Sequence, residues 1–565
     1  MGRLGEDAAR LEVVQISKFI SNFIKGSFGP NGLWNIVVDK NGVIHWTKSG
    51  ATTLNKIAPK PDKLEKPDDS DLGRSPSASH PIGQMIADVV EDIVETAGDG
   101  SKTAIILIGE LLRKWEKLPL HPAIFIEGCI SAMKRCLEII DEVSVPLSPK
   151  ELKQLRAVVR TFFKNGTRFE DEFLADIVLK ATYRAIKKVN NRYTFNSEDI
   201  DVRSEVGGTF FDTKLVDGIA FFKEILNPDM PNHVKNAKVA VIAGELRPKF
   251  KHGEAKLRTR AHDHKIILKD PKHIQSFHEE EKRFLCDAID KLANLGVKVT
   301  IIEKGVDPVA EELFTQREIL VIRRFHPKDL ERIAKVVNAT AVPEIEFLTS
   351  KDLGYADLVE ERKIEDHPWI FIRRAKSDVT TILVRGPVEG MVEEAKRMIL
   401  NSLRVVEKLS SEAKVVAGGG ALEVEMANKL RIWAGNIGDR KKFAIEGFAE
   451  VLETIPMLLA ESCGLDPIDS ITELRMRHHK GETWTGIDVF EKKITNMLQA
   501  EVYETALIKK QIIRSACEAV VNILRIDDFI AAKRTVGDMY WKKRQEKFTE
   551  PGRVKKIHRE YGIDV

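Results

Sequence analysis

Apolar residues recur at helical spacing near both ends of the chain and form short continuous runs in its middle. Residues 8–24 and 511–524 carry apolar positions three to four residues apart, which predicts amphipathic helices. The runs 238–243, 297–302 and 319–322 are rich in Val and Ile, with helix-like segments between them. That alternation predicts an α/β unit. The order is helical, then α/β, then helical, so we expect a middle domain inserted into a discontinuous helical one.

Shorter signals mark a hairpin near the amino end and two segments without a core. Residues 35–38 and 43–46 are apolar runs joined by an Asn-Gly-containing turn, which favours a two-stranded hairpin. Residues 59–79 are rich in Pro, Asp, Lys and Ser, and residues 533–565 are basic with little apolar content. Neither segment has the apolar residues that a packed core requires, so we expect a surface loop and a solvated tail.

The composition describes a large, charge-rich globular protein. Of 565 residues, 43% are hydrophobic and 31% are charged, and the length predicts several domains. The net charge of +3 is too small to imply nucleic acid as a partner by itself, and we do not expect one. No apolar run is long enough to span a bilayer, and residues 1–7 lack the apolar core of a signal peptide. Five scattered cysteines without a CxxC pair favour a reducing compartment, so we expect a cytoplasmic protein with no membrane partner.

The most informative polar stretch lies where two predicted helices meet. Gly98-Asp99-Gly100 is followed by Ser101-Lys102-Thr103 and then by an apolar helical run. Glycines let backbone N–H groups approach an anion, hydroxyls and a helix N-terminus donate to it, and a carboxylate can hold the Mg²⁺ that neutralises it. Taken alone, the stretch fits a phosphate loop and a plain Gly-rich turn between helices equally well.

Further loops of this kind lie in the two helical ends. Residues 28–32 form a Gly-Pro-Asn-Gly turn that can present backbone N–H groups, and residues 418–420 are three glycines at the start of a predicted helix. Residues 47–52 form a small-residue loop that leads into another helix. Three Gly-rich, anion-type loops in the two helical ends predict an ATPase domain that the inserted α/β unit divides.

The chain resembles the group II chaperonins, the thermosome and CCT family, from about residue 5 to residue 533. Residues 28–32 look like the family's first phosphate loop, 98–100 like its Mg²⁺–phosphate loop and 418–420 like its triple-Gly nucleotide loop. Other matching motifs are His121-Pro122, Ile126-Glu127-Gly128, Leu353-Gly354 and residues 358–362, 421–425, 464–469, 486–489 and 524–528. The spread of motifs makes the resemblance specific, and it indicates a divergent, archaeal-type thermosome subunit paralogue.

The resemblance implies a multi-domain α and α/β protein with the group II chaperonin fold. The implied domains are a helical equatorial domain (1–139 and 405–532), an α/β intermediate domain (140–209 and 363–404), an α/β apical domain (210–362, with a lid protrusion at about 244–285) and a basic tail (533–565). The family forms back-to-back double rings that enclose unfolded proteins and cycle with ATP. The resemblance therefore implies a chaperone subunit with unfolded protein clients, in a homo- or hetero-oligomeric double ring.

The resemblance also assigns ATP and Mg²⁺ to the Gly-rich loops, residue by residue. Asp99 matches the metal ligand. The positions that match nucleotide contacts are Phe28, Gly29, Pro30, Lys48, Gly98, Gly100, Ser101, Lys102, Thr103, Gly418, Gly419, Gly420 and Glu504.

Two positions that match the family's catalytic aspartates carry other residues. Ser49 stands where the loop normally has Asp, and Asn401 stands where an Asp orients the attacking water. Asn carries no charge and cannot serve as a base, and a positioned base contributes about 10²–10⁴-fold to a rate. We therefore hypothesise ATP binding with weakened hydrolysis. Two alternatives stay open: a competent ATPase with substitute carboxylates, and a chaperonin-like scaffold or adaptor without a folding cycle.

Three other signals concern the middle and the carboxyl half. The basic run 247–272 falls on the predicted lid protrusion and fits either a solvated face or a surface for acidic clients or RNA. His478-His479 is predicted to be a surface pair, because adjacent side chains cannot share one helix face. Lys164 matches a nucleotide-sensing lysine near the hinge, and the cysteines are expected to pack as small hydrophobes.

Overall fold

The computed structural model describes residues 6–38, 44–57, 81–147, 152–164, 169–189, 192–247, 271–374 and 379–526. The predicted loop 59–79, the basic tail 533–565 and residues 248–270 of the predicted lid protrusion and basic run lie outside these ranges. The helices are α1 Glu6–Lys25, α2 Gly50–Ile57, α3 Pro81–Ala97, α4 Ser101–Lys117, α5 Pro122–Val143, α6 Leu152–Lys164, α7 Phe169–Ala185, α8 Pro271–Asn294, α9 Pro308–Gln316, α10 Pro327–Val337, α11 Glu389–Ser411, α12 Ala421–Gly435, α13 Lys441–Leu452, α14 Thr454–Cys463, α15 Pro467–His479 and α16 Ala506–Leu524. The strands are β1 Asn35–Val38, β2 Ile44–Thr47, β3 Val145–Pro146, β4 Lys187–Val189, β5 Arg192–Thr194, β6 Ile200–Val206, β7 Lys214–Phe222, β8 His233–Ile242, β9 Val297–Ile302, β10 Leu320–Arg323, β11 Gly354–Ile364, β12 His367–Arg373, β13 Thr380–Gly386, β14 Lys414–Ala417, β15 Thr485–Asp488, β16 Lys493–Asn496 and β17 Tyr503–Thr505.

The two helical ends of the chain share one hydrophobic core. α4 packs against α1 and α16, and α5 packs against α13 and α16. Phe125 of α5 and Phe448 of α13 are fully buried in the same cluster. Because apolar faces from both ends can be removed from water only against each other, neither end forms a complete core alone. The predicted discontinuous helical unit is confirmed.

An eight-stranded mixed sheet forms the middle of the chain, in the order β10-β9-β8-β11-β12-β7-β13-β6. β8, β9 and β10 are parallel, whereas β11 runs antiparallel to both β8 and β12. Val239, Ile301 and Phe314 are fully buried in a second core on this sheet. The α/β prediction for the middle is confirmed, and the run predicted at 319–322 begins one residue later, at Leu320.

The same sheet continues across one of the implied domain boundaries. β11 and β12 form an antiparallel hairpin, and β12 also pairs with β7. A boundary between residues 362 and 363 cuts this hairpin, because β11 extends to Ile364. At the far end of the sheet, β13 pairs with β6 in parallel, and α11 packs on both strands. α11 follows directly and carries Asn401.

Local predictions near the amino end match the structure. β1 and β2 pair antiparallel, from Asn35 opposite Thr47 to Val38 opposite Ile44, while the turn between them lies outside the described ranges.

The prediction that His478 lies on the surface is wrong. Its ring is buried, and its two nitrogens lie 2.8 Å from Glu425 Oε2 and from the Thr485 carbonyl oxygen. Adjacent helical residues point about 100° apart, so His478 faces the core while His479 is exposed. Among the described helices, none is both long and apolar enough to cross a membrane.

Candidate functional site

A cavity of about 230 Å³ lies between loops from both helical ends and the side of α11. Its wall contains every residue predicted for the site except Gly418. These residues are Phe28, Gly29, Pro30, Lys48, Ser49, Gly98, Asp99, Gly100, Ser101, Lys102, Thr103, Asn401, Gly419, Gly420 and Glu504. The fold therefore brings together residues that are far apart in the sequence.

The loop between α3 and α4 depends on two glycines. Gly98 and Gly100 have φ values of +80° and +94°, a left-handed region that side-chain-bearing residues avoid. A Cβ on Gly98 would lie 2.6 Å from the carbonyl oxygen of Asn401. Gly100 precedes the first turn of α4 and has no side chain to cap it. The first N–H groups of α4 therefore face the cavity without a side-chain cap, which is the arrangement that binds anions at helix N-termini.

Asp99 is held inside this loop. The Gly100 N–H donates to Asp99 Oδ1 over 2.6 Å. Burial raises the pKa of Asp99, and the Gly100 N–H, Lys509 and Lys102 oppose that rise. A buried carboxylate of this kind gains from a nearby cation. Asp99 fits Mg²⁺ as a single carboxylate ligand beside phosphate oxygens and water, and the described residues contain no cluster of three His, Cys, Asp or Glu that could hold an ion by themselves.

Ser49 uses its hydroxyl to begin α2. Ser49 Oγ accepts the N–H of Thr52 at 3.2 Å, and the Ser49 carbonyl accepts the N–H of Thr53 at 3.0 Å. These contacts make Ser49 the N-cap of the helix, where a short polar side chain is favoured. Ser49 is buried against the cavity and brings no charge to it.

Asn401 is buried on the face of α11 that lines the cavity. Its Oδ1 accepts a hydrogen bond from Arg404 Nη1 at 3.3 Å. Two turns earlier on the same helix, Glu394 also lines the cavity, and both of its oxygens accept from Arg397. Thr47 Oγ1 donates to Glu394 Oε2 at 3.2 Å. The α11 carboxylate on the cavity wall, Glu394, is therefore already ion-paired and hydrogen-bonded.

Two lysines reach the turn at residues 26–32. Lys102 Nζ donates to the Ser27 carbonyl at 2.7 Å, and Lys48 Nζ donates to the Pro30 carbonyl at 3.4 Å. Burial lowers the pKa of Lys102 to about 8, with Asp99 opposing and the charges of Lys48 and Arg397 adding to the effect. The cavity wall therefore carries cationic side chains next to the Gly-rich loop.

The triple-glycine loop also contributes to the cavity wall. Gly419 and Gly420 have φ values of +61° and +77° and line the cavity. Gly418 lies behind them, with its N–H donating to the Val502 carbonyl at 3.1 Å. Gly418 therefore positions the loop from outside the cavity wall.

Glu504 lines the cavity near this loop and is bound to a buried lysine. Lys509 Nζ lies 2.6 Å from Glu504 Oε2 and 2.7 Å from Glu423 Oε1. Burial alone would lower the pKa of Lys509, but Glu423 and Glu504 raise it above its usual value. Burial raises the pKa of Glu504, and Lys509 opposes that rise. The lysine therefore stays charged and offsets part of the negative charge of these two carboxylates.

Sequence reasoning missed several charged and aromatic residues of the wall. Arg397 and Glu394 lie one and two helical turns before Asn401, so the helical period of α11 could have found them. Lys509 lies five residues after Glu504, across the junction of β17 and α16, where no single period applies. Trp34 lines the cavity and lies under Lys48, whose Nζ is 5.6 Å from the ring centre. The side chain of Lys164 lies outside the described residues, so its predicted role stays a prediction.

Comparison with known proteins gives a consistent match along the chain. The sequence model of the TCP-1/cpn60 chaperonin family matches residues 73–534. The chain is similar to thermosome subunit alpha of Archaeoglobus fulgidus, with 36% identity over 535 residues that cover 94% of this chain and 93% of the relative. It is 36% identical over 535 residues to thermosome subunit alpha of Aeropyrum pernix, covering 93% and 91% of the two chains. It is 34% identical over 535 residues to the thermosome subunit of Methanopyrus kandleri, covering 94% and 93%.

Proposed function

Because this chain belongs to the TCP-1/cpn60 chaperonin family, and so is a chaperonin subunit, we propose that it binds ATP in the cavity but hydrolyses it slowly. We further propose that it works in the cytoplasm, in a double ring of identical or related subunits that binds and encloses unfolded proteins. The free state of all five cysteines supports a reducing compartment.

A single observation carries the nucleotide proposal: one cavity unites the 28–30 turn, the 98–103 loop with its helix N-terminus, and Gly419-Gly420. Backbone N–H groups and hydroxyls around such a cavity suit the oxygens of a triphosphate. Asp99 would hold Mg²⁺ against the phosphates, and that ion would neutralise charge on them. Glu504, on the wall beside the triple-glycine loop, supplies a hydrogen-bond acceptor.

The weak hydrolysis follows from the chemistry of two side chains. Hydrolysis needs a water molecule that is correctly oriented and that loses a proton to a nearby base. Asn401 stands at the position that resembles the water-orienting aspartate, and its amide can accept a hydrogen bond but cannot take a proton. Ser49 is occupied as the cap of α2. Losing one positioned base costs about 10²–10⁴-fold in rate, so we expect turnover at least 100-fold below that of a competent relative.

The alternative of a competent ATPase would need another carboxylate to act as the base. Glu394 is the nearest candidate on α11, but Arg397 and Thr47 already bind its oxygens. Asp488 also lines the cavity, and its Oδ1 accepts the N–H groups of Phe490 and Glu491. These contacts already occupy oxygens of both carboxylates, so either group would have to give up a hydrogen bond before it could take a proton from water. They favour slow hydrolysis over rescued catalysis.

A ring is supported by an exposed apolar surface on the β1–β2 hairpin. Ile36, Val38, Ile44 and Trp46 are each 45–59% exposed. Four neighbouring apolar side chains exposed to water on one hairpin are typical of a surface that another subunit covers. The relatives that the chain matches are themselves named as thermosome subunits.

One experiment tests binding and turnover together. The purified full-length chain is mixed with ATP, and bound nucleotide and released phosphate are measured in the same sample. We expect about one nucleotide per subunit with slow phosphate release. Native mass measurement of that sample reports the ring, and a stable monomer that binds no nucleotide would favour the scaffold or adaptor alternative.

A further inference from the structure

We propose that Lys102 takes over much of the charge-neutralising role of Mg²⁺, so that this cavity binds a nucleoside triphosphate with little dependence on a divalent ion. The inference rests on the proposed nucleotide site and adds to it a residue that sets its metal requirement.

The first support is the balance of charge on the cavity wall. Two of its cationic side chains are already paired: Arg397 with Glu394, and Lys509 with Glu504. Lys102, in contrast, makes no ion pair with a carboxylate in the part of the chain that the structure describes, and its Nζ donates to the Ser27 carbonyl. An ammonium group has three donors, so Lys102 keeps donors for an anionic ligand.

The second support is where Lys102 is held. It is the second residue of α4, so its own N–H belongs to the uncapped first turn. Its stem passes close beside Gly50, where a Cβ would lie 3.1 Å from Lys102 Cγ. Its ammonium group ends at the 26–32 turn, part of which also lines the cavity. A phosphate between that turn and the start of α4 would therefore meet backbone N–H groups and the ammonium of Lys102 together.

The third support is that the Gly-rich loop offers few ligands for a metal ion. Asp99 is the carboxylate that the Gly-rich loop itself supplies, and one of its oxygens already accepts the Gly100 N–H. Asp99 and Lys102 lie three residues apart in the 98–103 loop and line the same cavity. A divalent ion at Asp99 would thus be repelled by the Lys102 ammonium, and the phosphates would already have a cationic partner. The ion would therefore add less affinity than it does in a site without the lysine.

The test measures ATP affinity by calorimetry, with excess Mg²⁺ and with excess EDTA, on the full-length protein. For the natural sequence we expect the dissociation constant to change by less than about tenfold when the ion is removed. Lys102→Thr should lose a further factor of about ten or more in EDTA and less in Mg²⁺, because a charge-assisted hydrogen bond is lost. Lys117→Thr is the matched control, since it removes the same charge from the exposed end of α4 and should leave both constants unchanged.

The outcomes separate this inference from the function on which it rests. If the natural sequence binds ATP with Mg²⁺ but loses more than about 100-fold in EDTA, the metal-independence inference is wrong and the nucleotide site stands. If neither condition gives binding, both are wrong. The measurement on the natural sequence tests metal independence even if Lys102→Thr fails to fold. Lys102→Arg should retain the affinity for ATP in EDTA, because it keeps the positive charge.

Discussion

The carbonyl oxygen of Asn401 lies 2.6 Å from the point that a Cβ on Gly98 would occupy. α11 therefore packs directly on the Gly-rich loop, with Asn401 on the same cavity wall as Asp99. The defect that we propose in hydrolysis is thus one of chemistry rather than of position, because Asn401 lines the cavity and differs from aspartate in having an amide in place of the carboxylate.

Replacing Gly98 by Ala should disrupt this contact and the loop. The new Cβ would collide with the Asn401 carbonyl, and φ of +80° is strained for Ala. Two such effects cost about 1–3 kcal/mol of folding stability. We expect a lower melting temperature and at least tenfold weaker ATP binding. Gly435→Ala is the control, since nothing lies within 4 Å of its Cβ position, and it should change neither quantity appreciably. Equal effects of the two changes would contradict the described packing.

A buried carboxylate should give the helical unit a measurable dependence on pH. Arg431 of α12 and Arg475 of α15 both donate to Glu453. Burial tends to raise the pKa of Glu453, but these two arginines hold it below its usual value. The stabilisation is therefore fully present above the unfolded glutamate pKa of about 4.3, and it is lost as the pH falls through the folded-state pKa.

Glu453→Gln tests this contribution. We expect a loss of about 2 kcal/mol at neutral pH, less than for a fully buried pair because both arginines are partly exposed. The difference in melting temperature between the two proteins should be constant above about pH 5 and shrink below about pH 4. Glu461→Gln at an exposed position of α14 serves for comparison. A difference that grows on acidification would contradict the assigned direction of the pKa.

We expect the exposed β1–β2 hairpin to form a contact between subunits that the ring requires. Ile36→Asp places a charge on the apolar surface of β1, where Ile36 is 54% exposed. We expect the oligomer to dissociate into smaller species in native mass spectrometry, because an unpaired charge in a subunit contact is costly. Val309→Asp makes the same change at a 39% exposed site on α9 and should leave the ring intact. Rings that survive Ile36→Asp would place the subunit contact elsewhere.

Short-range patterns predicted the helices and strands well, because the helical period of 3.6 residues and the strand period of two residues can be recognised within a short stretch of sequence. The strands β8 and β9 and the β1–β2 hairpin follow from such patterns. Gly98 and Gly100 were identifiable because only glycine tolerates their backbone angles. The burial of His478 was not predictable, since it depends on Glu425 from another helix. The Glu504–Lys509–Glu423 contact likewise requires three separate elements to meet.

The candidate site was likewise predictable only where local sequence motifs mark it. The loops that line the cavity were found from the sequence and the family resemblance, whereas Arg397 and Trp34 were missed. Arg397 neutralises Glu394 only because α11 places them one turn apart beside the cavity. Whether a carboxylate can act as a base depends on its partners in space, so the sequence alone left open the alternative of rescued catalysis.

Phosphate release at saturating ATP tests the central proposal most directly. The natural sequence is compared with Ser49→Asp/Asn401→Asp, which restores both carboxylates on an unchanged backbone, and bound nucleotide is measured in parallel. Slow release by the natural sequence, a rise of at least about 100-fold in the double variant, and similar ATP occupancy in both are the predicted results. Turnover by the natural sequence as fast as that of the double variant would contradict the proposal of a subunit that binds ATP but hydrolyses it slowly.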